Sequence, residues 1–283
     1  MEDKTNSKIK TAAWIRLIVS LIAVLFLIAI LVLGILAKDG GFPFFSFGGG
    51  YYSSADKYSV GNGEITAEPG SLREIDIDWI DGSIEVVGSA TASAISIQET
   101  SSQKLDSENQ VHYYYHNNTL NIQYRESGWL FWHSRSMNKH LVVTVPLNLC
   151  DTDSLNLQTD SVSSDVSIKN MDLEYLETDS VSGKVTFEGR VKKIECDTVS
   201  GECQLRSYIS PSSVECDSVS ANVTLIIPAE SEFRAEHDAV SGKFYADDFS
   251  CEKTDDDTYR CGSGSDHYEF DSVSGDVTIS AIR

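Results

Sequence analysis

A short phrase built on Asp, Ser and Val recurs six times in the second half of the chain, and its spacing limits the folds that the chain can adopt. The phrase reads "DSVSS", "DSVSG", "DTVSG", "DSVSA", "DAVSG" and "DSVSG", beginning at Asp160, Asp179, Asp197, Asp217, Asp238 and Asp271. The steps between these Asp residues are 19, 18, 20, 21 and 33 residues. Near-equal steps of about 20 residues are typical of a protein built from stacked repeats. The long last step predicts a repeat that carries an insertion.

Within each repeat, apolar residues alternate with polar ones, which is the pattern of a β-strand. With the Asp as position 0, positions −3, −1, +2, +6 and +8 are mostly apolar, and Val occupies +2 in every copy. The inward set is therefore odd before the Asp and even after it. Because a one-residue slip moves every side chain of a strand to the other face, we expect a corner at the Asp-Ser pair, whose short side chains bond to nearby backbone amides. The sequence predicts an all-β, parallel β-helix-like solenoid with rungs of about 20 residues.

The fifth residue of the phrase and the Asp itself raise two further questions. The fifth residue is Gly, Ser164 or Ala221, so we expect a crowded position that requires small volume rather than a positive φ, which Ala adopts poorly. Stacking would align the six Asp residues in a column of like charges, relieved by backbone amides or by cations. Calcium requires about 6–8 oxygen ligands, and the Gly-rich pattern of calcium-binding β-rolls is missing. A structural corner is favoured over a cation site.

The first 57 residues predict a membrane anchor and a linker. Residues 17–37 contain no charged residue, and roughly 20 apolar residues cross a bilayer as a helix. Lys4, Lys8, Lys10 and Arg16 precede this run, so residues 1–16 are expected to be a cytoplasmic tail and the remainder extracytoplasmic. A cleaved signal is less favoured, because its apolar region is about 7–15 residues long. Residues 38–57 form a Gly- and Phe-rich linker, and 58–283 form the extracytoplasmic domain.

The charge of the chain excludes one class of partner. The chain has 22 basic and 43 acidic residues; without residues 1–16 these become 18 and 41, a net charge of 18 − 41 = −23. A surface that binds nucleic acid needs Lys and Arg, so nucleic acid is not expected as a partner. An acidic exterior attracts cations and basic partners.

The part of the domain before Cys150 lacks the phrase but keeps strand patterns. We interpret it as the first rungs and the cap of the same domain, with turns at Asp81-Gly82 and at Asn117-Asn118. Four consecutive apolar residues, Trp129, Leu130, Phe131 and Trp132, interrupt the alternation. They are expected either to cover an open end of the solenoid or to form an interaction loop for a partner or the membrane.

Six cysteines allow disulfides in an extracytoplasmic domain. Cys251 and Cys261 bracket a stretch in the long last rung and predict a clamped hairpin. Cys196 and Cys216 occupy position −1 of neighbouring rungs, within the reach of a disulfide, which leaves Cys150 and Cys203 as a remaining pair. The alternative is that the cysteines pack as small hydrophobic residues. Zinc is not expected, because no CxxC pair is present.

A search for catalytic patterns finds none of the usual motifs. The six His residues form no HExxH, and neither GxSxG nor a Walker loop occurs. His237 falls in an inward column and is interpreted as an interior residue. A glycan-cleaving pair of carboxylates remains an alternative, because β-helices can host such sites. We expect no enzymatic activity and no cofactor.

The N-terminal anchor, "REIDIDWIDGSIEVVG", "LNIQY", "KHLVVTVP" and the repeated "DSVSGDVTI" together resemble a bacterial family of candidate adhesin domains, found in envelope proteins including LiaG-like ones. The resemblance spans residues 58–282 and implies an extracytoplasmic β-solenoid, with no catalytic residue to carry over. Two functions are therefore considered. The first is a membrane-anchored cell-surface protein that binds an envelope or surface protein or glycan. The second is an envelope-stress regulator that acts through a membrane partner.

Overall fold

The computed structural model of the protein describes residues 57–125, 137–150, 154–255 and 257–283. Residues Gly50–Arg283 form one compact unit. The predicted tail, the predicted membrane span at 17–37, most of the linker and the aromatic run Trp129–Trp132 lie outside the described residues. Among the described residues, no helix has the length and apolarity that a membrane crossing requires.

The described chain is an all-β domain with one short 3-10 helix, Leu147–Leu149. The strands of its first half are β1 (Ser59–Val60), β2 (Gly63–Ile65), β3 (Glu74–Ser89), β4 (Ile95–Ser101), β5 (His112–His116), β6 (Thr119–Gln123) and β7 (Lys139–Pro146). The strands of its second half are β8 (Asn156–Ser207), β9 (Ser213–Ile227), β10 (Phe233–Ser241), β11 (Phe244–Tyr245), β12 (Cys251–Asp255), β13 (Thr258–Cys261), β14 (Asp266–Ser274) and β15 (Val277–Ala281).

The repeats stack in parallel with their phrases in register, as the period predicts. Asp197 pairs with Asp217 between β8 and β9, and Asp217 pairs with Asp271 of β14. The single long strand β8 contains three repeats that follow one another around the solenoid. Positions −3, +6 and +8 point into one continuous core; Leu157, Ile168 and Leu205 are completely buried there. The all-β, solenoid-like architecture that the sequence predicts is therefore present.

A seventh copy of the repeat, which the sequence analysis overlooked, lies in β3. The segment "DWIDG" begins at Asp78, and Asp78 pairs with Asp160 in the parallel ladder between β3 and β8. Asp81-Gly82 is consequently the corner of a rung inside a continuous strand, not the turn of a hairpin. Asn117-Asn118, in contrast, does form a hairpin turn: both residues have positive φ, and they join the antiparallel strands β5 and β6.

The last two repeats do not stack in the order of the sequence. After β9 the chain forms β10, which does not pair with β9. One edge of β10 pairs with the β12–β13 hairpin. The chain then returns, and β14 lies between β9 and β10 and pairs with both. The order of the Asp residues is therefore Asp217, Asp271, Asp238. The residues of the long last step supply the hairpin, and the antiparallel hairpin covers an edge strand that would otherwise be open.

The corner of each rung lies at Val-Ser, two residues later than the sequence suggested. The residue at +1 still points inward: Ser161, Ser180 and Thr198 are at most 8% exposed. The Val at +2 points outward, and Val199 is 38% and Val240 56% exposed. The prediction that this Val enters the core was wrong, because it treated an apolar residue as an inward one although single apolar side chains are common on protein surfaces. The six Asp residues are thus strand residues that precede the corner.

The serine at +3 explains why the phrase contains Val-Ser. Its hydroxyl donates a hydrogen bond to the carbonyl of position +2 in the adjacent rung, as in Ser182 to Val162 (3.4 Å) and Ser200 to Val181 (3.3 Å). The same bond recurs from Ser163 to Ile80, from Ser220 to Val199 and from Ser241 to Val273. These bonds satisfy corner carbonyls and connect successive rungs.

The fifth residue is crowded, as predicted, but three of its glycines also require a special backbone conformation. A Cβ on Gly183 would overlap the carbonyl oxygen of Ser164 in the adjacent rung, a Cβ on Gly201 would overlap that of Gly183, and a Cβ on Gly82 of the seventh copy would overlap that of Lys139. The φ angles are 95° at Gly82, 128° at Gly183 and 147° at Gly201. The expectation that positive φ is not needed was therefore wrong at these three positions, where side chains other than hydrogen are disfavoured.

Candidate functional site: a ladder of carboxylates

Seven aspartates form one column along the outer face of the stacked strands, just before the corners. Register and neighbouring side chains give their order along the stack: Asp78, Asp160, Asp179, Asp197, Asp217, Asp271 and Asp238. Adjacent strands in a sheet lie about 4.8 Å apart, so each carboxyl faces another within a few ångströms. The geometry results directly from the repeat, because each copy contributes one Asp at the same height in its rung.

A second acidic column runs beside the first, two residues earlier in each strand. Side chains at i and i+2 share a face of a strand, so position −2 lies next to position 0. This column consists of Asp76, Gln158, Glu177, Glu195, Glu215, Glu269 and Glu236 in the same order. We call the two columns together the carboxylate ladder. The second column was not predicted from the sequence, although position −2 is acidic in six of the seven copies.

Burial and mutual repulsion favour the protonated form of many ladder carboxyls. Desolvation, followed by the charge of Asp78, raises the pKa of Asp160 to about 8, and Asp160 is only 5% exposed. Desolvation followed by Asp179 and Asp217 raises the pKa of Asp197 to about 8. Asp217 and Asp271 lie further along the column, and desolvation is the first cause that raises their pKa values to about 6. The low-dielectric surroundings and the like charges act in the same direction.

Basic side chains reach only one end of the ladder. Within the described ranges, the ion pairs of ladder carboxylates are Arg234 with Glu236 at 2.5 Å and His267 with Glu269 at 3.7 Å. The hydroxyl of Tyr175 donates to Glu195. In the described part of the chain the seven aspartates accept no hydrogen bond from a backbone amide, which corrects the expectation that they cap the corner. Most ladder carboxyls therefore have no basic partner inside the described chain.

Three ladder residues approach the arrangement that a cation would need. One carboxylate oxygen each of Asp76, Asp78 and Asp160 lie within 4.8 Å of one another. One oxygen of Asp76 and one of Asp78 are buried without a hydrogen-bond partner. Three carboxylates provide fewer than the 6–8 oxygens that calcium takes, so waters or ligand atoms would have to supply the remainder.

The cysteines lie in three places. Cys251 and Cys261 are joined by a disulfide between the antiparallel strands β12 and β13. Cys196 and Cys216 are register partners in neighbouring rungs, as predicted, but the structure contains no disulfide bond at either of them, nor at Cys150 or Cys203. The Sγ atoms of Cys196 and Cys203 are 2.8 Å apart, so Cys203 lies beside Cys196. The predicted pairing of Cys203 with Cys150 is not present. Cys150 donates instead to the carbonyl of Pro146.

The remaining titratable groups in the interior have structural surroundings. His237 is 7% exposed, its ring lies 6.1 Å from that of Phe244 in a tilted arrangement, and burial lowers its pKa. Lys139 is completely buried, lies 2.6 Å from Glu99, and places its ammonium 4.1 Å from the ring centroid of Tyr124. Glu99 in turn accepts the backbone amide of Val111 at 3.0 Å. These contacts form a buried ion pair beside an aromatic ring.

Parallel rungs, a continuous apolar core and an outer acidic ladder define a solenoid-like, all-β repeat domain. Residues 72–208 and 147–280 match the Toastrack DUF4097 family in two overlapping segments. The chain therefore belongs to that family.

Two solved structures resemble the fold. One is a candidate cell adhesion protein from Clostridium sporogenes, with a TM-score of 0.47, 10% identity, and coverage of 79% of this chain and 100% of that one. The other is a candidate adhesin from Bacteroides fragilis, with a TM-score of 0.40, 14% identity, and coverage of 81% of this chain and 98% of that one. No curated protein matches the chain.

Proposed function

We propose that the protein is a non-catalytic, membrane-anchored cell-surface protein whose carboxylate ladder binds a positively charged envelope or surface ligand. The observation that carries this proposal is the pair of acidic columns with few internal cationic partners. A repeating ligand with cationic groups could match the spacing of about 4.8 Å between strands. The apolar run at 17–37, with its basic N-terminal flank, supports the membrane anchor.

The pKa values of the ladder give this proposal a specific signature. A cationic ligand favours the ionised carboxylates, so its binding displaces protons from the ladder. Between pH 6 and 8 the ladder aspartates lose protons, since the pKa values of Asp179 and Asp197 are raised to about 7 and about 8. Ordinary surface carboxyls have a pKa near 4 and are already ionised at pH 6. Binding at the ladder should therefore strengthen from pH 6 to pH 8.

The test uses a lysine-rich peptide as the probe and two triple variants, each of which replaces three carboxyl groups by amides. The ladder variant is Asp179→Asn/Asp197→Asn/Asp217→Asn. The control variant carries Glu→Gln at three exposed residues outside the ladder, Glu68, Glu108 and Glu230. Titration calorimetry at pH 6 and pH 8 in two buffers of different ionisation enthalpy measures affinity and proton release together.

We expect at least a tenfold loss of affinity and the loss of proton release in the ladder variant only. Equal losses in the two variants would mean that the peptide responds to net charge alone, and the proposed site would be rejected. Affinity that is unchanged from pH 6 to pH 8 in the wild type would contradict the ladder as the binding surface.

A further inference from the structure

Three cysteines meet inside the core, apart from the carboxylate ladder. Cys196 lies at position −1 and Cys203 at +6 of the same rung, while Cys216 lies at −1 of the next rung. Their exposed fractions are 1%, 1% and 2%. In no other rung are both positions Cys: the earlier rungs hold Thr or Ile at −1 and Ile or Val at +6, such as Thr178 with Val185, and the later rungs include aromatic residues and His237. The rung of Cys196 is thus the one in which the paired inward positions on either side of the corner are both thiols.

The distances favour a pairing inside the rung. The Sγ atoms of Cys196 and Cys203 are 2.8 Å apart, which is longer than a disulfide bond of about 2.05 Å but shorter than an ordinary non-bonded contact between two sulfur atoms. Cys216 also contacts Cys196, and the two are parallel register partners about 4.8 Å apart at the backbone. Cys196 and Cys203 share a hydrogen bond in which either sulfur can be the donor. The contacts with Cys203 and Cys216 lower the pKa of Cys196 and raise the pKa values of those two neighbours.

We propose that Cys196 and Cys203 form a disulfide across the corner of their rung, and that Cys216 is the alternative partner of Cys196 in the adjacent rung. Oxidation removes one proton and one electron from each of the two thiols and joins their Sγ atoms. The two electrons pass to a small-molecule or protein disulfide, which is reduced to two thiols. Because the three side chains are buried, the bond must form during folding or through a local opening of the rung.

The chain offers a direct readout, since cleavage after Lys193 and Arg206 places Cys196 and Cys203 on one tryptic peptide, Ile194–Arg206. Cys216 lies on the following peptide, Ser207–Arg234. The full chain is refolded with reduced and oxidised glutathione, its remaining thiols are alkylated in denaturant, and it is digested without reduction. A bond inside the rung appears as peptide Ile194–Arg206 without alkylation and two hydrogens lighter. A bond between rungs appears as two linked peptides.

The variants take their replacements from the repeat itself, so that each new side chain already occurs at the same position in another rung. Cys216→Thr follows Thr178, and Cys203→Val follows Val185. We expect the bond inside Ile194–Arg206 to persist in the wild type and in Cys216→Thr. In Cys203→Val, it should be replaced by a link between the two peptides.

Alkylation of both Cys196 and Cys203 in the refolded wild type would overturn the proposal. A wild type that mainly links Ile194–Arg206 to Ser207–Arg234 would overturn the assignment of Cys203 as the preferred partner. Free Cys196 in Cys203→Val would overturn the role of Cys216. Circular dichroism of each variant verifies that it folds, and Cys196→Thr should lose both products.

Discussion

Replacing Asp160 by Asn should stabilise the domain at neutral and alkaline pH, and the gain should shrink as the pH falls. The pKa of Asp160 is raised from its ordinary value of 3.8 to about 8, with desolvation as the first cause. A folded-state pKa above the unfolded one means that the folded chain holds more protons between these values, so stability falls as pH rises through this window. Below the ordinary pKa both states are protonated and the penalty disappears.

The structure sets the size of this effect. One pKa unit corresponds to about 1.4 kcal/mol, so a shift of about 4 units limits the penalty to about 6 kcal/mol above pH 8. Between pH 5 and pH 8, the same linkage predicts a loss of at most about 4 kcal/mol from this one side chain. Neighbouring ladder carboxyls that stay protonated reduce the repulsion, so we expect Asp160→Asn to remove about 2–4 kcal/mol of the pH dependence.

Urea unfolding of wild type and variant at pH 5 and pH 8 measures this difference directly. The matched control is Asp238→Asn, which makes the same chemical change at the exposed end of the same column. The control should alter the pH dependence by less than about 0.5 kcal/mol, as surface substitutions usually do. If the wild type were more stable at pH 8 than at pH 5, or if Asp160→Asn kept the full pH dependence, burial of the ladder would not be the cause.

Three further substitutions test the packing of the rungs, each by urea unfolding. Val199→Asp should change stability by less than about 1 kcal/mol because the side chain is 38% exposed. Val185→Asp should prevent folding because it buries a charge. Equal effects of the two substitutions would refute the assigned corner. Lys139→Met should destabilise the domain by about 3–5 kcal/mol because it leaves the buried carboxylate of Glu99 without its cation. Adding Glu99→Gln should restore part of this loss. Additive losses in the double variant would contradict the Lys139–Glu99 ion pair. Gly183→Ala should cost about 1–3 kcal/mol, since φ is 128° and the Cβ meets the adjacent rung; a neutral variant would refute the crowding.

The solenoid could be predicted from the sequence because every copy of the repeat has a similar length and the same inward positions. Alternation at −3, −1, +6 and +8 depends only on the pleat of a strand, and it placed Leu157 and Leu205 in the core correctly. The position of the corner was harder to derive. The alternation predicts an inward Val at +2, but this side chain points outward at the corner. A serine hydroxyl at +3 also stabilises the corner through a hydrogen bond to the adjacent rung. This hydrogen bond joins residues about one rung apart in the sequence, so no local pattern predicts it.

The end of the solenoid and the thiol contact could not be derived for a similar reason. Whether β14 lies outside β10 or between β9 and β10 depends on which edge the β12–β13 hairpin covers, and the repeat spacing is compatible with both orders. Position −1 suggested Cys196 with Cys216 because register partners are adjacent. The contact of Cys196 with Cys203 joins positions −1 and +6 on either side of the corner of one rung, and the register of neighbouring rungs does not indicate it. The ladder, in contrast, was within reach: position −2 is acidic in six copies, and "DWIDG" at Asp78 was a readable seventh repeat.

The corner and the ladder are separate features of the same phrase, and this separation bears on function. Val and Ser make the corner through backbone geometry and the bond from Ser182 to Val162. In the described chain, the Asp makes no comparable bond to the backbone, while its burial beside like charges destabilises the folded state at neutral pH. An Asn or Ser at this position would serve the fold at a lower cost. This cost agrees with the proposed cationic ligand at positions 0 and −2, because a ligand that relieved the repulsion would stabilise the folded domain as it bound.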